Sequence, residues 1–191
     1  MSVLQIHSSA RLEGSNTRTL SQYLVESLGQ PVVTRDLAQK PLPPINAADL
    51  IDVHGSAEHA GATFQQQLAL SNQLIDELRE ADTLVLGAPL YNFGIPVTLK
   101  QWVDAICRAG VSFKYTEKGP VGLLGVERVY IITASGGTPV GSEMDFGSRY
   151  LEHICRFIGI NEIAHIDASG SKGSADEVIA QGKQQIDTLL S

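Results

Sequence analysis

Three short stretches carry the residue types that could do chemistry. Ser9 and the run Ser15-Asn16-Thr17 put hydroxyl and amide groups at the start of what reads as a helix. Hydroxyls, free backbone N–H groups and the helix dipole can together hold a phosphate without a lysine. The turn Ser15 to Thr19 contains Arg18 and no Asp or Glu, which suits a dianion. These are also ordinary N-cap residues, and taken alone either role stands. Ala88-Pro89-Leu90-Tyr91-Asn92-Phe93-Gly94-Ile95-Pro96 holds two aromatics and an asparagine between prolines. Such a loop is rigid, partly apolar and rich in exposed backbone amides, a wall for a flat aromatic ring. Ala134-Ser135-Gly136-Gly137 lets the backbone approach a ligand closely, because glycine has no Cβ; a plain turn is the equal alternative. As a set, the three stretches describe a flat ring held by backbone groups with a phosphate at its far end.

Other chemistries lack their signatures. There is no GxGxxG fingerprint and no GxxxxGK[ST] loop, which disfavours a Rossmann dinucleotide site and a P-loop NTPase. No GxSxG elbow is present to support a hydrolase. Of the five histidines, His7 and His165 read as structural, His54 and His59 as solvated loop residues, and His153 pairs with no nucleophile motif. A receiver-type module would want clustered acids after the first strand, where Ser8-Ser9-Ala10-Arg11 stands instead. No metal-ligand set is visible. Cys107 and Cys155 sit in apolar helical patterns and read as buried thiols, compatible with a reducing cytoplasm.

The elements that must position these loops follow from periodicity. Val3–His7, Pro31–Leu37, Thr83–Gly87, Arg128–Thr133 and Glu162–Asp167 are short, apolar and β-rich, and read as strands. The second reads as an edge strand. Helical spacing is carried by Leu20, Tyr23, Leu24 and Leu28, closed by Gly29. It recurs from Thr63 through Phe64, Leu68, Leu74, Ile75 and Leu78, and from Val97 to Arg108 with Pro96 at N1. Tyr150 to Ile158, closed by Gly159, and a last helix opened by a Ser174–Glu177 capping box complete the set. Gly110–Thr116 alternates and ends in the turn Glu117-Lys118-Gly119-Pro120, an excursion between helix and strand. Residues 45–62 are the least legible; Ala47–Ile51 reads as one helical turn and Gly55–Ala57 as a loop.

The βαβαβαβαβα order predicts an α/β doubly wound fold, a five-stranded parallel sheet with helices on both faces. In the flavodoxin-like order 2-1-3-4-5, the ligand crevice lies outside the carboxyl ends of strands one and three, with strand four's loop beside them. The three unusual loops then converge. The 191 residues suit a single domain, 1–191, with a sizeable core. The chain is 43% hydrophobic and 18% charged, and its formal charge of -7 argues against a nucleic-acid surface. No apolar run approaches the roughly 18 residues of a membrane span, and no signal peptide is visible.

At this point the chain resembles the FMN-dependent NADH-azoreductase and NADH:quinone oxidoreductase family of the flavodoxin-like fold. The residues that carry the resemblance are Pro89–Pro96 with Leu99-Lys100, Arg108–Glu117, Gly119-Pro120, Thr133–Gly137 and Phe157-Ile158-Gly159-Ile160. The resemblance implies that Ser9, Ser15, Asn16 and Thr17 bind the FMN phosphate and ribityl end. Leu90, Tyr91, Asn92 and Phe93 would contact the isoalloxazine ring, and Ala134, Ser135, Gly136 and Gly137 would close its pyrimidine side. Tyr115 and Phe157 match aromatics of the acceptor pocket, the latter from the partner subunit of a homodimer; ordinary packing is their alternative role. Two departures are visible. Leu90 stands where a family member has methionine, and Ala134-Ser135 where it has Ser-Arg, so a donor or acceptor preference resting on that arginine does not carry over. The implied activity is a ping-pong transfer of two electrons from NADH or NADPH, through FMN, to quinones or azo compounds. No side chain is nominated as a catalytic acid, base or nucleophile. A non-enzymatic flavodoxin-like electron carrier is the alternative, disfavoured by the Gly110–Pro120 excursion and the Thr138–Met144 loop, which read as pocket walls.

Overall fold

The computed structural model describes residues 1–44, 62–170 and 173–191. The helical turn expected at Ala47–Ile51, the loop at Gly55–Ala57, and His54 and His59 lie outside the described residues. Within them the chain runs β1 (Val3–His7), α1 (Asn16–Leu28), β2 (Val32–Asp36), α2 (Ala62–Arg79), β3 (Thr83–Pro89) and α3 (Val97–Ile106). It continues β4 (Phe113–Thr116), β5 (Gly119–Gly122), β6 (Arg128–Ala134), α4 (Ser148–Ile158), β7 (Glu162–Asp167) and α5 (Ala175–Leu190).

Five strands form one parallel sheet in the order β2-β1-β3-β6-β7, which is the expected 2-1-3-4-5 when only that sheet's strands are counted. Its central strands are buried on both faces, which is why they read as continuous apolar runs. The exposed β2 lies at an edge, as its shorter apolar run predicts. Side chains alternate between two cores. Leu4, Ile6, Leu84, Leu86, Val129 and Ile131 meet α2, α3 and α4 on one face. Val3, Val85, Tyr130, Ile132 and Ile166 meet Leu20 and Leu24 of α1 and Val178 and Ile186 of α5 on the other.

The excursion after α3 is a two-stranded antiparallel hairpin, β4–β5, outside the main sheet. Alternation in β4 did not disclose this partner, because Gly119-Pro120-Val121-Gly122 has no strand signature of its own. The helix ends follow local chemistry. Gly29 and Gly159 close α1 and α4 in the left-handed conformation, and Ser174 and Glu177 make a reciprocal capping box. Pro96 is the N-cap of α3 rather than its first helical residue. That helix stops at Ile106, before Arg108, because the Arg108 N–H is drawn to the Ser112 hydroxyl (2.8 Å).

The register aligns His7 with Gly87, Pro89 with Ala134, and Thr133 with Asp167. The loops leaving β1, β3, β6 and β7 therefore meet along one sheet edge. Gly87 helps bring α1 to that edge. A Cβ there would lie 3.1 Å from the Ser21 hydroxyl and 3.4 Å from the Ile6 carbonyl, so glycine permits the helix to pack closely over β3.

Candidate functional site

The β1–α1 loop ends in a buried cluster of hydroxyls. Ser15 is the N-cap of α1 and its hydroxyl accepts from the Arg18 N–H (3.5 Å). The same hydroxyl lies 3.0 Å from the Ser9 hydroxyl and 3.2 Å from that of Thr17. All three residues are buried. The start of the loop is anchored to β3 by Ser8, whose hydroxyl donates to the Gly87 carbonyl (2.7 Å). The first turn of α1 holds no acidic residue, so the N–H groups left without helical partners there face no competing carboxylate. Arg18, which the sequence offers as a cation for a dianion, is turned away. Its guanidinium grips Asp36 through both terminal nitrogens (2.6 and 3.0 Å). Burial pushes the Asp36 carboxyl up, but hydrogen bonds from Arg18 and Gln39 outweigh it and hold the carboxyl well below the usual range.

The β3–α3 loop is built differently. The Tyr91 N–H donates to the Gly94 carbonyl (2.9 Å) and the Gly94 N–H to the Tyr91 carbonyl (3.2 Å), closing a two-residue hairpin. Its central residues Asn92 and Phe93 have φ of 50° and 71°. Positive φ at both positions is what a type I′ turn requires. Asparagine tolerates it; for phenylalanine it is strained backbone. Tyr91, Asn92 and Phe93 are exposed, while Leu90 is buried and its N–H donates to the Ala134 carbonyl (2.7 Å). The Ala10 N–H joins the first loop to this one by donating to the Tyr91 hydroxyl (3.1 Å). The Phe146 N–H donates to the Phe93 carbonyl (3.1 Å), so the loop before α4 borders the turn. That border is organised by the buried Asp145, which accepts N–H bonds from Gly141 (2.8 Å), Gly147 (3.0 Å) and Ser148 (2.9 Å). Burial raises its carboxyl, and these bonds with that of the Ser148 hydroxyl bring it below the ordinary range.

A cleft of about 360 Å³ opens between these loops. Ser9, Ser15 and Asn16 line one end, Leu90 and Tyr91 another, and Ala134, Ser135 and Gly136 the far side. The structure thus brings eight of the twelve expected cofactor residues together. Thr17 lies beneath the cradle, against Ser15, rather than in the wall. Asn92, Phe93 and Gly137 stand outside the cleft lining. Tyr115 and Phe157 flank Phe113 instead, with ring centroids 5.4 and 4.2 Å from it, in a cluster where the hairpin packs on α4.

The cleft wall also contains residues the sequence did not single out. Arg11 and Gly14 come from the first loop. A fourth loop, after β7, contributes Gly170 and Gly173, with Ala175 and Val178 from α5. The signal for it was present: a glycine-rich stretch between a strand and a capping box, at the same sheet edge. The described lining residues include no Asp, Glu, His or Cys. Burial pushes the Cys107 thiol up to about 11 and the Cys155 thiol up to about 12, and both cysteines are free. A second cleft, about 460 Å³ between α2 and α3, is lined mainly by apolar residues such as Leu42, Phe64 and Leu68.

Comparison with known proteins places this geometry. A family model described as flavodoxin-like fold matches residues 1–190. An FMN-dependent NADH:quinone oxidoreductase 1 of Hahella chejuensis (strain KCTC 2396) is 43% identical over 189 residues, covering 96% of this chain and 92% of the relative. The protein of the same name from Jannaschia sp. (strain CCS1) is 42% identical, covering 99% and 98%. Among solved structures, an azoreductase from Bacillus anthracis str. Sterne superposes with a TM-score of 0.86 at 25% identity, covering 99% of this chain and 98% of that one. An FMN-dependent NADH-azoreductase from Bacillus anthracis str. Ames Ancestor, in complex with FMN, shares the fold with a TM-score of 0.88 at 24% identity, covering 98% and 96%.

Proposed function

The chain belongs to the FMN-dependent NADH:quinone oxidoreductases of the flavodoxin-like fold, and from that premise we propose how its residues serve the two-electron reduction of quinones and the reductive cleavage of aromatic azo compounds. NADH is the electron donor and FMN the bound cofactor. The observation that carries the assignment of the site is the joining of a buried hydroxyl cradle at a helix N-terminus to an apolar loop wall, in one cleft without acidic side chains in its described lining.

The residues present fit FMN. Ser9, Ser15 and the first-turn N–H groups of α1 offer neutral donors and a helix dipole to a phosphate dianion. Asn16 extends the polar wall toward the ribityl chain. Leu90 and Tyr91 present an apolar surface and a polar edge to a flat ring, and Ala134, Ser135 and Gly136 close the opposite side with backbone. Asn92 and Phe93 act at the rim, Asn92 by holding the turn and Phe93 by offering an exposed aromatic face. When bound, FMN supplies the hydride chemistry, taking electrons from the nicotinamide and passing them to the acceptor. The chain's part is to bind, orient and exclude water. Thr17 supports the cradle from behind, through its hydroxyl beside that of Ser15, and Gly137 continues the far loop at its exposed rim.

The active unit is a homodimer in this reading. Support comes from large apolar side chains left exposed on the β3–α3 turn, at the start of α3 and in the loop before α4, namely Phe93, Val97, Met144 and Phe146, and from Tyr115 on the hairpin, which is 73% exposed. A second copy over this region would bring Tyr115 and Phe157 to the acceptor side of the cleft. The single domain spans residues 1–191, and its free thiols fit the reducing cytoplasm where NADH is abundant. Purified protein should be yellow, elute as a dimer with flavin absorbance, and oxidise NADH with menadione or methyl red. A colourless protein that neither binds added FMN nor turns over would overturn the reading, and a flavin-bearing monomer would remove the dimer alone.

A further inference from the structure

We propose that the Arg18–Asp36 pair is a clamp that positions the FMN phosphate cradle through loop geometry and not through the arginine's charge, an inference that rests on the FMN reading above. Arg18 stands in the first turn of α1, the wrong end of a helix for a cation. What it does there is visible in its bonds. Besides the two to Asp36, one terminal nitrogen donates to the Ser9 carbonyl (2.9 Å) and Nε donates to the Arg11 carbonyl (3.1 Å). All three guanidinium nitrogens are engaged by the protein itself, through four of the group's five N–H donors. Asp36 is fixed in turn by the N–H groups of Ala38 (3.0 Å) and Gln39 (3.1 Å) and by the Gln39 amide (2.7 Å).

These bonds form one frame. It runs from the end of β2 through Asp36 and Arg18 to the carbonyls of Ser9 and Arg11. From there the Ser9 hydroxyl, which the Arg11 N–H also contacts at 3.3 Å, meets the hydroxyl of Ser15. The frame thus orients the two hydroxyls that line the phosphate end of the cleft. Both clamp side chains are mostly buried, 15% and 16% exposed, so the bidentate pair is screened little by solvent. His7, level with Asp36 in the β1–β2 register, is the titratable neighbour beneath them.

Geometry and charge predict opposite results. If the clamp works by geometry, breaking it from either side misplaces the cradle. If the arginine's charge attracts the phosphate, removing its counter-ion strengthens binding. Full-length wild type, Arg18→Lys, Arg18→Met and Asp36→Asn should be titrated with FMN and with riboflavin, which lacks the phosphate, by flavin fluorescence quenching. Thermal midpoints of the flavin-free proteins should be measured alongside. The clamp predicts that all three variants weaken FMN by about tenfold or more, the equivalent of one charge-assisted hydrogen bond. Riboflavin affinity changes little, and a double variant, Arg18→Met/Asp36→Asn, titrated alongside, is no worse than Arg18→Met. Arg18→Lys keeps the charge and the stem, so the test survives a failure of Arg18→Met to fold. Tighter FMN binding by Asp36→Asn, or wild-type binding by Arg18→Lys, overturns the proposal in favour of charge. Equal loss of FMN and riboflavin, tracking the thermal midpoint, overturns it in favour of general stability. Wild type that binds neither flavin overturns the cofactor reading and the clamp with it; wild-type binding with unchanged variants overturns the clamp alone.

Discussion

At the β1–α1 end of the cleft the wall is buried and held by side chains; at the β3–α3 end it is exposed and held by backbone. Ser9, Ser15 and Thr17 satisfy one another and are stapled by Arg18 and Asp36 before any ligand arrives. Tyr91, Asn92 and Phe93 depend on a two-residue turn that stores strain at Phe93 and leaves an aromatic ring in water. The difference fits the roles proposed for the two ends. A phosphate requires donors already in place, because reorganising polar groups around a dianion costs affinity. A flat ring and a flat acceptor require apolar surface that something else covers, and strain of this kind persists where surrounding structure enforces it.

The comparison can be broken most forcefully at the cradle. Ser9→Ala/Ser15→Ala should weaken FMN by about a hundredfold, the equivalent of two charge-assisted hydrogen bonds. Riboflavin should be nearly indifferent; equilibrium dialysis with the two flavins would show it, and equal losses would erase the division between the ends. At the turn the effect should be smaller and of either sign. Phe93→Gly relieves a positive-φ side chain and should raise the thermal midpoint by about 2–4 °C, for roughly 1 kcal/mol of strain. Asn92→Val, β-branched where φ is 50°, should lower it by a similar amount. A midpoint unmoved by either change would mean the turn is not strained.

Acid should act on the cradle end. Burial, joined by the Arg18 charge, pushes the His7 imidazole below its ordinary 6.5 against a weaker upward pull from Asp36. A base with a lowered folded pKa takes its proton more readily in the unfolded chain. The native state therefore holds its full advantage above 6.5 and loses it as pH falls through the folded value. His7→Gln should flatten the fall of the thermal midpoint from about pH 7.5 to about 5.5, and a profile that still tracks wild type would acquit His7. The smallest effect belongs to the Ala10–Tyr91 bond between the two ends. Tyr91→Phe removes an exposed neutral hydrogen bond and should change FMN affinity by less than about threefold, read by the same quenching titration.

Much of the site was legible because its signals are local. The hydroxyls of Ser9 and Ser15 and the proline-bracketed loop announce themselves over a few residues, and the alternation of strands and helices says they share an edge. Arg11 and Asp145 were not legible, since their roles depend on backbone shape and on the packing of one loop against another. Arg18 misled in an instructive way. Its place in the first turn pointed to an anion, but its partner Asp36 lies 18 residues on, at the end of β2.

The sequence by itself determined the parallel sheet, its covered faces and the convergence of the loops at one edge, because periodicity and turn chemistry act over neighbouring residues. Only the tertiary structure decided which members of those loops face the cleft. It turned Arg18 inward onto Asp36 and set Asn92 and Phe93 on the rim. It also added a fourth loop and paired β4 with β5. The physical reason is that a side chain's direction follows from what packs and bonds against it across the fold, and spacing along the chain does not record those partners.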